Sequence, residues 1–372
     1  MNLLEHGRIS GRQFMALLVI SRITPTILIC TSINLVKYSS TAWVNEALGS
    51  LLAIPIIWLI TNLCSKYPDQ TIIQYAQTLL GRFWGKAIGF IFIMTVLLTS
   101  ATVLRSLGET VTIAMMPGTP VIVFLLMAVF LAANAARNGL EVYTRIAEIL
   151  AFVTLFILVT LVILNYNIMD FTELKPFYFP EGFTQLIPAT SSVLSYFCEF
   201  FIIGMLVPYL RQPQQAVRYG LLAVIITGCM LVFLCLGMTA VFGATVNSLS
   251  LPSFTLARQV SLLHFFERIE SLVAIVWFFA AGTKVAFTLW AAALGFAQLF
   301  ELRDFRALVY PVAAIVGPLS IISYASVVEL ILFLNRPMII FSFIFVPFLL
   351  VLFYSAHALH IRSVGGKAGG SR

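Results

Sequence analysis

Gln185 to Pro213 reads QLIPATSSVLSYFCEFFIIGMLVPYLRQP, and the architecture of the whole chain turns on this stretch. It is long and apolar enough to cross a bilayer, which takes roughly 20 residues. Yet it carries a carboxylate, Glu199, near its middle and Pro208 towards its end. An ionisable group at that depth costs at least ~2.5 kcal/mol unless it is paired or wetted. Ser191, Ser192 and Ser195 precede it and offer hydroxyls that can satisfy backbone groups freed by a break in the helix. The stretch therefore reads as a discontinuous helix at the centre of a transport-type site.

Composition agrees with a membrane setting. Of the 372 residues, 60% are apolar and only 10% charged, where a soluble domain carries about a quarter charged. The chain is thus expected to be an all-α integral membrane protein. Its polar start, MNLLEHGRISGRQ, leads into an apolar run long enough to span, so no cleavable signal is expected. The net charge of +7 does not gather into a patch that would suit nucleic acid; the cations sit in short loops. Cys30, Cys64, Cys198, Cys229 and Cys235 all fall in apolar runs and read as small core residues. No cofactor is expected, because no phosphate loop, nucleophile elbow, zinc signature or dinucleotide fingerprint appears, and nothing points to an enzyme.

About ten spans can be drawn, at 13–34, 44–64, 85–107, 119–136, 146–166, 185–209, 218–243, 268–298, 307–323 and 337–357. With the N-terminus inside, fourteen Lys and Arg fall in inner segments against five (Lys37, Lys175, Arg258, Arg268 and Arg336) in outer ones. That bias places both termini in the cytoplasm. Residues 65–84 look like an amphipathic helix at the inner surface and 244–267 an interfacial helix on the outer one; an ordinary ordered loop is the alternative for each. Residues 1–12 form a cytoplasmic N-terminus in this reading, 13–357 a single transmembrane domain, and 358–372 a disordered cytoplasmic tail.

Ten spans divide into five and five, with halves at about 13–180 and 181–357. The first span of each half is interrupted: at Ser21-Arg22-Ile23-Thr24-Pro25 in one, and from Ser195 through Pro208 in the other. Paired interruptions at matching positions point to an inverted-repeat transporter fold with helices 1 and 6 broken, and to a binding site between them.

Three ionisable residues lie deep in spans. Arg22 is the tenth residue of its span, roughly 13–15 Å deep at 1.5 Å per residue. It meets Glu199 or a ligand carboxylate, or else lies in a wet vestibule. Glu199 is a partner for a buried cation, a proton carrier, or an acceptor for a ligand ammonium; burial raises a carboxyl pKa and a nearby cation lowers it. Lys284, beside Gly282 and Thr283, can replace a bound cation, shuttle a proton, or pair with Glu199, or form a purely structural pair. Arg105 with Glu109, and Arg137 with Glu141 and Arg145, have the spacing of ordinary helix-face ladders. His264, His357 and His360 lie at interfaces and lack metal spacing.

ISGRQF at Ile9–Phe14, STAWV at Ser40–Val44 and above all FFERIESLVAIVWFFAAGTK at Phe265–Lys284 resemble the endospore germination permeases. These are the B subunits of GerA-type nutrient germinant receptors, in the amino acid–polyamine–organocation superfamily. SYFCEF at Ser195–Phe200 resembles the sixth-helix break of amino-acid permeases. The resemblance implies an amino-acid-permease or LeuT-like fold in the spore inner membrane. It implies an A-subunit membrane protein and a C-subunit lipoprotein as partners, with membrane lipid around it. It further implies binding of a small nutrient, commonly an amino acid, between spans one, three, six and eight, near Ser21, Thr24, Glu199 and Thr283. One departure is plain: the superfamily's glycine-rich first-helix break here reads Ser21-Arg22-Ile23-Thr24-Pro25, which gives up the close backbone approach glycine allows.

Overall fold

A reciprocal cap starts the first helix. The Ser10 amide donates to Gln13 Oε1 at 2.9 Å and the Gln13 amide to Ser10 Oγ at 3.2 Å, satisfying donors that a helix start otherwise leaves open. The computed structural model describes residues 4–25, 41–174, 186–249, 251–260 and 269–369. In order, the helices are α1 (Gly11–Pro25), α2 (Ala42–Ser65), α3 (Ile72–Leu80), α4 (Arg82–Ala114), α5 (Val121–Arg137) and α6 (Leu140–Leu164). They continue as α7 (Leu186–Cys198), α8 (Ala216–Phe242), α9 (Pro252–Gln259), α10 (Ile269–Leu299), α11 (Arg306–Ile322), α12 (Val327–Asn335) and α13 (Pro337–Gly369).

Among the described residues, seven stretches are long and apolar enough to cross a membrane, including Ala42–Ser65, Arg82–Ala114, Glu270–Leu299 and Val327–Ile361. Val121–Arg137 and Arg306–Ile322 are apolar but shorter. The second half of the first expected span lies outside the described residues, as do Phe265–Arg268 of the FFERIE motif.

Leu186–Tyr209 is the most enclosed of these: 89% of its most apolar 18-residue window is buried, against 33% for Leu140–Leu164. After Cys198 the α-helix gives way to a 3-10 turn over Glu199–Ile202, an α turn over Ile203–Leu206 and a second 3-10 turn over Val207–Tyr209. Pro208 supplies no amide to an i−4 carbonyl, which favours that change of winding. α1 stays helical through Ser21–Thr24 up to Pro25, and residues 26–40, which include the rest of the first expected span, lie outside the described residues. Thr24 Oγ1 donates to the Ile20 carbonyl at 2.8 Å, holding its hydroxyl within the helix, and only the bond that Pro25 cannot make is lost.

α1 lies among α6, α8 and α10; α2 packs on α8 and α7, and α4 on α10 and α3. Gly49 sets the α2–α7 approach, since a Cβ there would lie 2.4 Å from Val193 Cγ1. Within 65–84 the helix is α3, capped by Thr71 and Gln74 with Ile72, Ile73 and Tyr75 buried; within 244–267 it is α9. One expectation is corrected: Cys229 is exposed rather than a core residue, because it lies on the outward side of α8.

Candidate functional site

Two buried ion pairs organise the middle of the bundle. In the first, Lys284 Nζ on α10 donates to Glu199 Oε2 at 2.5 Å, with side-chain exposures of 3% and 17%. The change of winding at Cys198 places Glu199 at the first position of a 3-10 turn. Just before it, Ser195 Oγ is tied to the Ser192 carbonyl at 2.7 Å. Behind Lys284, Thr288 Oγ1 donates to Ser100 Oγ on α4 at 2.9 Å. A small cavity of about 20 Å³ adjoins the pair and is lined by Ser21, Thr99, Glu199, Lys284 and Thr288. That is room for about one water. The buried hydroxyl of Ser21 has no hydrogen-bond partner.

In the second pair Arg22 Nη2 lies 3.7 Å from Glu46 Oε2 on α2, and both side chains are 1% exposed. The guanidinium also reaches the Val193 carbonyl on α7 at 3.5 Å and lies 4.4 Å from the centre of the Phe197 ring. The expectation that Arg22 meets Glu199 is therefore corrected. Glu199 takes the lysine of α10, and Arg22, on another side of α7, takes Glu46. For Arg22 and Glu46, both 1% exposed, burial makes the pairing obligatory, because an ion left alone at that depth costs several kcal/mol (about 3–5 when one partner is removed).

Of the candidate residues, Ser21, Glu199 and Lys284 thus meet around one cavity, and Arg22 joins a second cluster. Thr24 and Thr283 spend their hydroxyls on their own helices, Thr283 Oγ1 donating to the Phe279 carbonyl at 2.8 Å. Glu46 escaped the sequence reading because it sits near the start of its span, where a carboxylate is unremarked. The signal was its neighbour Asn45, a second buried polar residue whose amide makes no hydrogen bond.

A larger cavity of about 260 Å³ meets the small one at Thr99, Glu199 and Phe201. It lies between α4 and α13, with Phe333 of α12 on its rim.

At one end of the bundle the N-terminal segment forms a latch that the sequence did not announce. Ile9 pairs in parallel with Leu210: the Ile9 amide donates to the Tyr209 carbonyl at 2.9 Å and the Arg211 amide to the Ile9 carbonyl at 3.0 Å. Glu5, 4% exposed, accepts from the Gly7 amide at 2.9 Å, the Leu140 amide at 3.2 Å and Trp290 Nε1 at 3.3 Å. Arg8 Nη1 donates to the Pro208 carbonyl at 2.7 Å. The segment so ties the end of the interrupted stretch to α6 and α10.

The other ladders are simple. Arg105 and Glu109 pair at 2.6 Å, Arg145 and Glu141 at 3.2 Å, while Arg137 rests 5.2 Å from the Tyr310 ring centre. Among the described residues no three His, Cys, Asp or Glu side chains are grouped to hold a metal ion.

Comparison with known proteins places this geometry. The family model described as spore germination protein matches residues 8–326. Spore germination protein YndE of Bacillus subtilis is 27% identical over 270 residues, 71% of this chain and 73% of its own length. Spore germination protein KB of the same organism is 24% identical over 330 residues, 86% of each. Among solved structures, MhsT in complex with L-phenylalanine superposes with a TM-score of 0.63 at 12% identity, covering 94% of this chain and 99% of that one. The fold is that of the LeuT-type transporters.

Proposed function

The chain belongs to the spore germination protein family, and from that premise we propose that it is the nutrient-sensing membrane subunit of a germinant receptor. It binds a small nutrient, an amino acid in the first instance, in a transporter-like site and triggers germination. In this reading ten spans form a five-plus-five inverted repeat with helices 1 and 6 broken and both termini cytoplasmic. The protein sits in the spore inner membrane beside an A-subunit membrane protein and a C-subunit lipoprotein. The relatives in B. subtilis carry germination in their names, and a protein of the same fold holds L-phenylalanine.

One observation carries the reading: the Glu199–Lys284 pair stands at a change of helix winding, with a small cavity beside both side chains and a larger one that Glu199 also lines. A purely structural pair needs no cavity. Here a ligand ammonium can take up Glu199 and a ligand carboxylate Lys284, so that binding trades one pairing for two. Ser21 offers its hydroxyl to the same space. Arg22, Thr24 and Thr283 support the walls in this scheme. Binding then shifts a conformational equilibrium by its differential affinity for two states.

The test is genetic. Spores carrying Glu199→Gln are expected to lose the response to one nutrient class, or to shift its dose–response at least tenfold, with the protein inserted and abundant. An unchanged dose–response at normal protein level removes Glu199 from the site. The transporter fold supports a second reading, a proton-coupled secondary transporter of amino acids or related small molecules. Uptake of labelled amino acid into proteoliposomes separates the two, because a sensor needs no transfer across the membrane.

A further inference from the structure

The cavity between α4 and α13 has a composition that a water-filled passage does not need. Its walls are Leu98 on α4, Phe201 after α7, and Met338, Phe341 and Phe345 on α13, with one charged side chain, Glu199, at the edge shared with the small cavity. The threonines that also face it have committed their protons. Thr95, Thr99 and Thr102 donate to the Ile91, Thr95 and Leu98 carbonyls at 3.0, 3.0 and 2.8 Å. The aromatic wall is ordered, with Phe201 edge-on to Phe345 at 5.6 Å and Phe341 stacked on Phe345 at 5.0 Å between centroids. Such faces favour an aromatic or branched apolar group in offset or edge-to-face contact.

Size and charge narrow the occupant. A dry cavity of about 150 Å³ accepts benzene, so about 260 Å³ accommodates a leucine or phenylalanine side chain with part of its main chain. The adjoining ion pair has no net charge, and the walls carry no other ion. A ligand with net charge would leave that charge uncompensated in apolar surroundings, which is costly. A zwitterion adds none. A lipid acyl chain would lay hydrocarbon against a carboxylate.

We propose that the α4–α13 cavity is the side-chain subsite of the nutrient site and selects zwitterionic α-amino acids with a bulky apolar side chain, the ammonium on Glu199. This rests on the nutrient-binding reading above and adds the class of nutrient.

Binding to the full-length protein in lipid nanodiscs, followed by calorimetry, tests it with glycine, L-alanine, L-leucine, L-phenylalanine and isoamylamine. L-Leucine or L-phenylalanine is expected to bind at least tenfold more tightly than L-alanine. Isoamylamine, which keeps leucine's side chain and ammonium but adds net charge, binds at least tenfold more weakly than leucine. Ser342→Phe, which fills the cavity from α13, lowers affinity for the two large amino acids at least tenfold and leaves alanine within threefold. Should Ser342→Phe not express, Phe341→Ala gives the opposite test, raising affinity for phenylalanine relative to leucine; an unchanged ratio overturns the subsite.

An unchanged ranking in a folded Ser342→Phe overturns the subsite, as does wild-type protein that binds alanine as tightly as leucine; a groove for lipid chains gives the first result. Isoamylamine equal to leucine overturns the selection for zwitterions. If Glu199→Gln abolishes all binding while the Ser342→Phe ranking stays unchanged, the nutrient reading stands without the subsite. No saturable binding of any amino acid by wild type overturns both.

Discussion

Arg22 and Glu46 show what burial does to a charged residue. Each is 1% exposed, so neither can recover its hydration by a small movement. Arg22→Met is expected to destabilise the protein by about 3–5 kcal/mol, the usual loss when one member of a buried pair is removed. Arg22→Met combined with Glu46→Gln recovers most of it, since two neutral groups of similar shape replace two ions. Lys284→Met costs less, because Glu199 is 17% exposed beside a cavity and can be wetted. Melting of the detergent-solubilised variants reads the order; a double variant no more stable than Arg22→Met alone contradicts the argument. The identities of Arg22, Glu199 and Lys284 were legible because an ion deep in an apolar run stands out in any reading. The Glu199–Lys284 pair stood among several open alternatives and Arg22's partner Glu46 was missed, since pairing depends on which way α1, α2, α7 and α10 are rotated about their axes. No residue spacing along one helix reports that rotation.

At the scale of elements, the ends of helices are where local chemistry can be tested. α10 stops after Leu299, and the Leu302 amide folds back to the Ala297 carbonyl at 2.8 Å. Glu301 occupies the turn with φ 58°, a left-handed conformation that usually belongs to glycine. Its carboxylate accepts from Lys86 Nζ and Arg82 Nη2 of α4, each at 2.9 Å. Those hydrogen bonds hold its carboxyl below the ordinary value of 4.5. A carboxyl depressed in the folded state adds stability above its unfolded pKa and loses it as pH falls through the folded value. The difference in melting between wild type and Glu301→Gln is therefore expected to be full at neutral pH, to shrink once pH falls below 4.5 and to vanish below the depressed folded value. Glu301→Gly should lose less than Glu301→Gln at neutral pH, because it relieves the left-handed backbone while giving up the same pairing. A difference that grows on acidification contradicts the assignment.

At the scale of the whole molecule, hydropathy made the spans legible because a bilayer imposes length and apolarity together. The composition of 185–213 marked the enclosed stretch for the same reason. The latch at Glu5, Arg8 and Ile9 was illegible: it is a short polar segment whose partners, Leu140, Pro208, Leu210 and Trp290, lie far along the chain. Its placement couples two scales. Glu199 and Leu210 belong to one interrupted stretch, and Lys284 and Trp290 to one helix, α10. The latch thus holds together the same two elements that the central ion pair joins, beside the direct edge-on packing of Tyr209 on Trp290 at 5.6 Å between centroids. Glu5→Ala removes a charged acceptor that serves three donors. Hydrogen bonds to charged groups are worth about 1.5–3 kcal/mol each, so the local opening free energy should fall by more than the ~1.4 kcal/mol that corresponds to tenfold. Protection of the Ile9 and Arg211 amides against hydrogen exchange is accordingly expected to drop at least tenfold, with amides in the middle of α4 unaffected. If protection at Ile9 and Arg211 is unchanged, the segment does not hold that end closed. If it falls uniformly across the molecule, Glu5 supports global stability rather than a local latch.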